Sequence, residues 1–320
     1  MRRLFACALV LTLVCMPMLA MAGEGTKTIG IIQYVQHVAL DSAREGFVQA
    51  LADNGFVDGQ NIALDVQNAQ ADASNLATIS DRFVANNVDL VLAIATPAAQ
   101  SIAGKTTTIP ILGTAITDYE VARLVSSNQN PGTNVSGTTD MNPVADQIKL
   151  IKELFPQTRT VGLIYTSSED NSILQAKMAK EAVEAEGMSY KEVTVSSSND
   201  VQQATQSIVD NCDAIYIPTD NVLAASISVV YEVTTAARKP VICGEAGMVE
   251  GGALATLGIN YYDLGYQTGL MALRVLAGED VSTMAVETAS KMDYTFNSTY
   301  AEAIGFTIPE KYQAYAKPME

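Results

Sequence analysis

One short pattern occurs twice in this chain and narrows the fold more than anything else in it. Val161-Gly162-Leu163-Ile164-Tyr165 echoes Ile29-Gly30-Ile31-Ile32-Gln33, with the glycines 132 residues apart. Gly55 and Gly187, each placed to end the helix after its run, keep the same spacing. Both runs are continuous and apolar, as a strand buried on both faces of a parallel sheet must be. After the first come strands at 61–66, 89–94 and 109–114, with helices at 74–86 and from Thr96-Pro97. After the second come strands at 190–195, 213–218 and 240–244, with helices at 199–211 and 223–238. Strand and helix alternate without hairpin signals, which argues for parallel βαβ units in two sets. The first helix is expected to begin near Ser42, where Ser42-Ala43-Arg44-Glu45 fits a capping box, and to stop at Asn54-Gly55.

The stretch 253–279 joins the two sets. It reads as a buried strand to Ile259, an interruption at Asn260, and then a helix. Leu264, Met271 and Val275 form one stripe of that helix; Gly265, Gly269 and Ala272 form another, bare enough for a neighbour to approach closely. The reading is an α/β chain of two Rossmann-like lobes with parallel sheets, joined by a three-crossing hinge. Crossings are expected at 137–140, at Asn260 and at 284–287. Lobe 1 then holds 23–138 plus 261–286, and lobe 2 holds 139–260 plus 287–320. A chain with two lobes and a hinge has a cleft that can close on something small.

Residues 1–22 read as a signal peptide: Arg2 and Arg3, an apolar core at 4–19, and a small-x-small site at Ala20-Met21-Ala22. Cleavage after Ala22 and a periplasmic protein are expected. Cys15 lacks the small preceding residues that lipid attachment wants. The chain has 19 basic and 35 acidic residues, a net charge of −16. Such a surface repels nucleic acid and anionic membrane, so neither is expected as a partner. There is no second long apolar run, so the exported protein is expected not to be an integral membrane protein. A monomer is expected. Cys212 and Cys243 fall at opposite ends of parallel strands, beyond the reach of a disulfide, and are read as free buried thiols.

Motifs for catalysis are thin. The segment Ala99–Thr106 ends like a phosphate loop but lies on a helix. There is no nucleophile elbow and no dinucleotide fingerprint. His37 is the only histidine, so two-histidine metal sites are impossible, and no cofactor is expected. Polar residues do gather where the strands end, the edge at which open α/β sheets hold ligands. The candidates are Tyr34, His37, Thr96, Pro97, Thr117, Asp118, Asp140, Tyr165, Ser167, Ser168, Asn171, Asp220, Glu245 and Asn260. Asp140 and Glu245 set an acid pair opposite helix amino-termini at Thr96 and Ser168. That arrangement suits the two ends of an amino acid, with Tyr34, Pro97 and Tyr165 as an apolar wall.

Several motifs resemble a known family. These are Thr96-Pro97-Ala98-Ala99-Gln100, Pro131-Gly132-Thr133-Asn134-Val135-Ser136-Gly137, Pro218-Thr219-Asp220-Asn221, Gly251-Gly252-Ala253-Leu254-Ala255-Thr256, and Tyr261-Tyr262-Asp263-Leu264-Gly265-Tyr266-Gln267-Thr268-Gly269. The chain resembles ABC-transporter substrate-binding proteins related to the tryptophan and aromatic amino-acid binders. The resemblance implies a type I periplasmic binding fold that closes on an L-amino acid and serves an ABC permease with its ATPase. It implies that Thr96 and Thr117 hold the ligand carboxylate, and Asp140 and Glu245 its ammonium. The rival readings are a binder of a sugar, nucleoside or signalling molecule, and a carboxylate-dependent periplasmic enzyme.

Overall fold

The computed structural model describes residues 26–289 and 291–319, so the expected signal segment lies outside the described residues. The first sheet is built from β1 (Lys27–Gln33), β2 (Ile62–Asn68), β3 (Leu90–Ile94), β4 (Ile111–Ile116) and β5 (Val135–Thr139). Its helices are α1 (Val38–Asp53), α2 (Ala73–Ala85) and α3 (Thr96–Ala103). The second sheet takes β6 (Thr160–Thr166), β7 (Ser189–Val195), β8 (Ala214–Ile217), β9 (Val241–Cys243) and β10 (Ala255–Ile259). Around it lie α4 (Val144–Leu154), α5 (Asp170–Ala185), α6 (Val201–Val209), α7 (Asn221–Ala225), α8 (Ile227–Ala236) and α9 (Ala246–Gly251). The chain then returns through α10 (Tyr261–Leu276) and β11 (Glu287–Thr288) to the first sheet. It ends on the second sheet with β12 (Met292–Asn297), α11 (Ser298–Ile304) and β13 (Ala316–Lys317).

Strand order is β11-β5-β4-β3-β1-β2 in one sheet and β13-β12-β10-β9-β8-β6-β7 in the other. All pairs in the first are parallel; in the second, only β12 against β10 is antiparallel. Each sheet has its own apolar core, one drawn from 29–135 and 259–286, the other from 144–255 and 296–312. The repeat read from the sequence is structural. Gly30 and Gly162 occupy the same place in β1 and β6, where a methyl would strike Phe83 in one lobe and Cys212 in the other. Gly55 and Gly187 both take a left-handed φ just past their helices, at 84° and 70°, a turn that glycine makes at little cost. Cys212 and Cys243 are free and buried.

Three local expectations need correction. The first helix begins at Val38 rather than near Ser42, with His37 at its N-cap. Ala39, Leu40 and Ala43 are all buried against the core, and that packing outweighs the local capping signal. The helix expected over 223–238 starts at Asn221 and is broken at Ser226, whose φ of −118° and ψ of 17° are not helical. The third passage between sheets falls after Thr288, because Glu287 and Thr288 pair with Thr138 and Thr139 of β5.

The bare stripe of α10 has found its neighbour. A methyl added to Gly265 would lie 1.8 Å from the Ala43 carbonyl oxygen, and one on Gly46 would lie 2.0 Å from that of Tyr262. So α1 and α10 pack backbone to backbone, which fixes the amino-terminus of α1 against the hinge. Overpacking such a seam typically costs 1–3 kcal/mol, and here the obstacle is main chain that cannot rotate away. Gly265→Ala is therefore expected to lower stability by at least about 2 kcal/mol, read as a lower melting temperature. An unchanged melting curve would show that the helices can part freely.

Candidate functional site

The carboxyl ends of the two sheets face each other, and the lobes meet there. His37, Leu40, Ala115, Asp140 and Tyr261 face Asn171, Thr219, Asp220, Asn221, Ala224 and Glu245 across a space of about 10 Å3. Among the described residues, four side-chain hydrogen bonds join the first lobe to residues 170–221 of the second. Gln100 Nε2 donates to Asp170 Oδ2 at 2.8 Å, and Gln175 Nε2 to Thr117 Oγ1 at 3.2 Å. Thr117 Oγ1 lies 3.4 Å from Thr219 Oγ1, and His37 Nε2 lies 3.3 Å from Asn221 Oδ1. Pockets for small ligands run to roughly 300–1,000 Å3, so entry requires the lobes to part and these bonds to break. A larger cavity, about 790 Å3, lies on the first lobe beside Gln100, Arg123 and Asp280. It has no buried charged group, and the chemistry points to the interlobe space instead.

Three buried acids, Asp140, Asp220 and Glu245, line that space, and a fourth, Glu169, is bonded to two of its lining residues, Asn171 and Asn221; each acid is at most 3% exposed. Asp140 follows β5 at the first crossing; its Oδ1 accepts from Thr117 at 2.9 Å and its Oδ2 from the Tyr261 hydroxyl at 2.7 Å. Glu245 caps α9, accepting from the Gly247 and Met248 amides at 2.5 and 2.8 Å. Asp220 caps α7 and also accepts from the amide and hydroxyl of Thr166. Glu169 accepts from Asn171 and Asn221 on Oε2, while its Oε1 is buried without a partner. Burial pushes all four carboxyls up, Glu245 to about 7. Among the described residues no lysine or arginine is buried, and none forms an ion pair with these acids.

The other expected site residues divide. Tyr34 is buried beside the cluster, its hydroxyl pushed up to about 12 by burial and by the field of Glu169. His37 is half-exposed as a residue, yet its ring is walled in and burial lowers it to about 4. Thr96 is buried at the start of α3 with its hydroxyl unpartnered, and Pro97 beside it is half-buried. Asn171 is buried with its Oδ1 unpartnered.

The structure does not bring the remainder to the cluster. The Tyr165 hydroxyl donates to Glu192 on the neighbouring strand at 2.9 Å, so it packs along the outer sheet. Ser167 and Ser168 are exposed, Ser167 donating to the Val195 carbonyl. Asp118 caps its own turn through the Glu120 and Val121 amides, and Asn260 is an exposed N-cap for α10.

Sequence reasoning missed Gln175, Thr219 and Tyr261 as members of the cluster, and took Glu169 and Asn221 only as parts of polar edge segments at 167–172 and 220–221. Glu169 sits between two exposed serines and Asp170, and nothing in its spacing separates it from a solvated turn. A further feature had no signal at all. Ala95 and Ala115 hold φ of 81° and 56° at the edge facing the second lobe. Non-glycine residues take that region at a cost and cluster at functional sites.

Residues 28–319 match the family model for ABC transporter substrate binding proteins. The chain belongs to that family. A tyrosine-binding protein of Clostridioides difficile (strain R20291) is 40% identical over 278 residues, covering 87% of this chain and 81% of that protein. An ABC domain from Streptococcus pneumonia, solved in complex with L-Trp, is 37% identical with a TM-score of 0.88, covering 92% of this chain and 99% of that one. The ligand-free, open structure of a Clostridium difficile substrate binding protein with adhesive properties is 43% identical, covering 92% and 100%, but has a TM-score of only 0.70. A lower score at higher identity is what a different lobe arrangement produces, and the interlobe bonds here are those of a closed one. The fold is that of type I periplasmic binding proteins. These relatives are substrate-binding proteins, and the carboxylate-enzyme reading falls away with them.

Proposed function

We propose that the chain is the periplasmic binding component of an ABC importer, taking an L-amino acid with an aromatic side chain and delivering it to a permease and its ATPase. One observation carries the ligand class: three buried carboxyl groups line the cleft and a fourth is bonded to two of its lining residues, with no cationic partner. A buried ionised carboxylate without a counter-charge is expensive, and a ligand ammonium supplies the missing charge. Asp140 and Glu245, from the crossing and from the second lobe, share the cavity where it would lie. The unpartnered Thr96 hydroxyl, at the amino-terminus of α3, suits the ligand carboxylate. Tyr34 and Pro97 remain as apolar surface for a ring. The tyrosine-binding and L-Trp-complexed relatives support the aromatic side chain. A neutral sugar or nucleoside leaves the four acids uncompensated.

Closure is part of the proposal, since the lobes must separate to admit ligand and rejoin to bury it. Calorimetric titration of exported protein should show binding of L-tyrosine, L-tryptophan or L-phenylalanine, with none for glucose or adenosine. Small-angle scattering should show compaction on saturation with the same amino acid. Binding of the neutral ligands instead, or an unchanged scattering profile in protein first stripped of ligand by unfolding and refolding, would overturn the reading.

A further inference from the structure

Three acids line the cleft and Glu169 is bonded to two of its lining residues, and the hydrogen bonds of the four are unequal. Both oxygens of Asp140, Asp220 and Glu245 are already taken by hydroxyls, by the Thr166 amide or by the amides of the helices they cap. Glu169 differs. Its Oε2 accepts from Asn171 Nδ2 at 3.2 Å and from Asn221 Nδ2 at 2.5 Å, and its Oε1 has nothing. Buried polar atoms nearly always find a partner, and each exception needs an explanation.

The neighbours of Glu169 share its shortage. Asn171 Nδ2 is spent on Glu169 and on the Thr219 carbonyl at 2.9 Å, which leaves the buried Oδ1 unpartnered. Asn221 Nδ2 is spent on Glu169, so its Oδ1 is the atom that faces His37 Nε2. That contact puts the imidazole proton on Nε2, and the buried Nδ1, also unpartnered, becomes an acceptor. One hydrogen-bond chain therefore carries three buried acceptor atoms without a partner: a carboxyl oxygen, an amide oxygen and an imidazole nitrogen. His37 comes from the first lobe; Glu169, Asn171 and Asn221 come from the second. His37, Asn171 and Asn221 all line the interlobe space.

We propose that this chain of residues is the receptor for the ligand's ammonium group, with Glu169 as its charge and His37 as the arm that joins it from the opposite lobe. Three acceptors match the three N–H donors of an ammonium. Among the described residues no set of three or more His, Cys, Asp or Glu side chains is placed to hold a metal ion. Because Asn221 contacts both Glu169 and His37, seating the ammonium and closing the lobes become one event. This assignment rests on the amino-acid reading above. It extends that reading by adding Glu169 to Asp140 and Glu245 as a residue that tells an amine from its des-amino counterpart.

The test compares L-tyrosine, L-phenylalanine and 3-(4-hydroxyphenyl)propanoate, which is tyrosine without its amino group, by calorimetry on the parent protein and on Glu169→Gln. The parent should bind the two amino acids and prefer tyrosine to the des-amino acid by at least about thirtyfold, the usual loss when one side of a buried charge pair is removed. In Glu169→Gln both amino acids should lose about that factor, while the des-amino acid binds no worse, so the preference collapses. A merely structural role for Glu169 lowers all three affinities together and leaves the preference intact, which overturns the assignment. A loss for tyrosine but not for phenylalanine overturns it too, since the carboxylate would then be reading the phenol. If the parent binds no amino acid, the functional reading fails first and takes this assignment with it. Should the Gln variant fail to fold, Glu169→Asp serves. It keeps the charge but withdraws the carboxylate, and at least a tenfold loss of the amine preference is expected; an undiminished preference counts against the proposal.

Discussion

Asp140→Asn is expected to weaken amino-acid binding by at least about thirtyfold while leaving the ligand-free melting temperature nearly unchanged. Asp140 meets the Thr117 hydroxyl of the first lobe and the Tyr261 hydroxyl at the start of α10. Both hydroxyls can turn and accept from an amide as readily as they donate to a carboxylate, so the fold keeps its contacts. What disappears is the negative charge at the point where the chain first crosses between lobes. Losing one side of a desolvated charge pair costs about 2–5 kcal/mol, or roughly thirty- to several-thousand-fold in affinity. Glu245→Gln should weaken binding similarly but is not silent in the fold. Its two oxygens accept from two amides of α9, and the glutamine amide can serve only one of them. A lost cap typically costs about 1 kcal/mol, so the melting temperature of this variant should fall. If both variants bind an identified amino acid as tightly as the parent, the acidic cleft is not where the ammonium sits.

That contrast shows how far the sequence reached. Asp140 and Glu245 were legible because each follows a strand that the apolar pattern marks, and an open sheet places ligands at that edge. The glycine stripe of α10 was legible for a similar reason, since a stripe without side chains implies a close neighbour; that the neighbour is α1 was not. Glu169 was hidden. Its carboxyl is held by Asn171 and Asn221, one of them more than fifty positions away. Tyr165 failed in the opposite way. It ends an apolar strand, so it reads as a cleft residue, yet strand alternation turns its ring outward to Glu192. The start of α1 was misplaced because a local capping pattern was weighed without the tertiary burial of Ala39 and Leu40. For Glu169 and the start of α1 the missing term was long-range packing; for Tyr165 it was the local alternation of the strand.

Acidity supplies the other large effect: amino-acid affinity is expected to fall steeply as pH drops below about 7. Burial raises Glu245 from an ordinary 4.5 to about 7 and pushes Asp140 and Glu169 up as well. The sign follows from which state holds the proton. A carboxyl raised on folding stabilises the ligand-free closed form below its ordinary value, and that contribution is lost as pH rises through about 7. An ammonium reverses the preference, because it needs the ionised carboxylate and must expel the proton to bind. Each displaced proton costs 1.36 kcal/mol per pH unit, about tenfold in affinity. His37 acts in the same direction. Burial lowers it from 6.5 to about 4, so closing on a neutral ring is unopposed above 6.5 and is penalised as pH falls toward 4. Calorimetry between pH 5 and 8 should therefore show affinity for L-tyrosine climbing by about tenfold per unit for each displaced proton, less steeply above 7, where Glu245 is ionised, and still rising toward 8, where Glu169 ionises. The ligand's melting-temperature increment should grow across the same interval. Glu245→Gln removes one of the displaced protons, so its profile should be flatter between pH 5 and 7. An affinity that stays constant from pH 5 to 8 in the parent would mean that no buried carboxyl gives up a proton when the ligand arrives, and the acids would then be caps and nothing more.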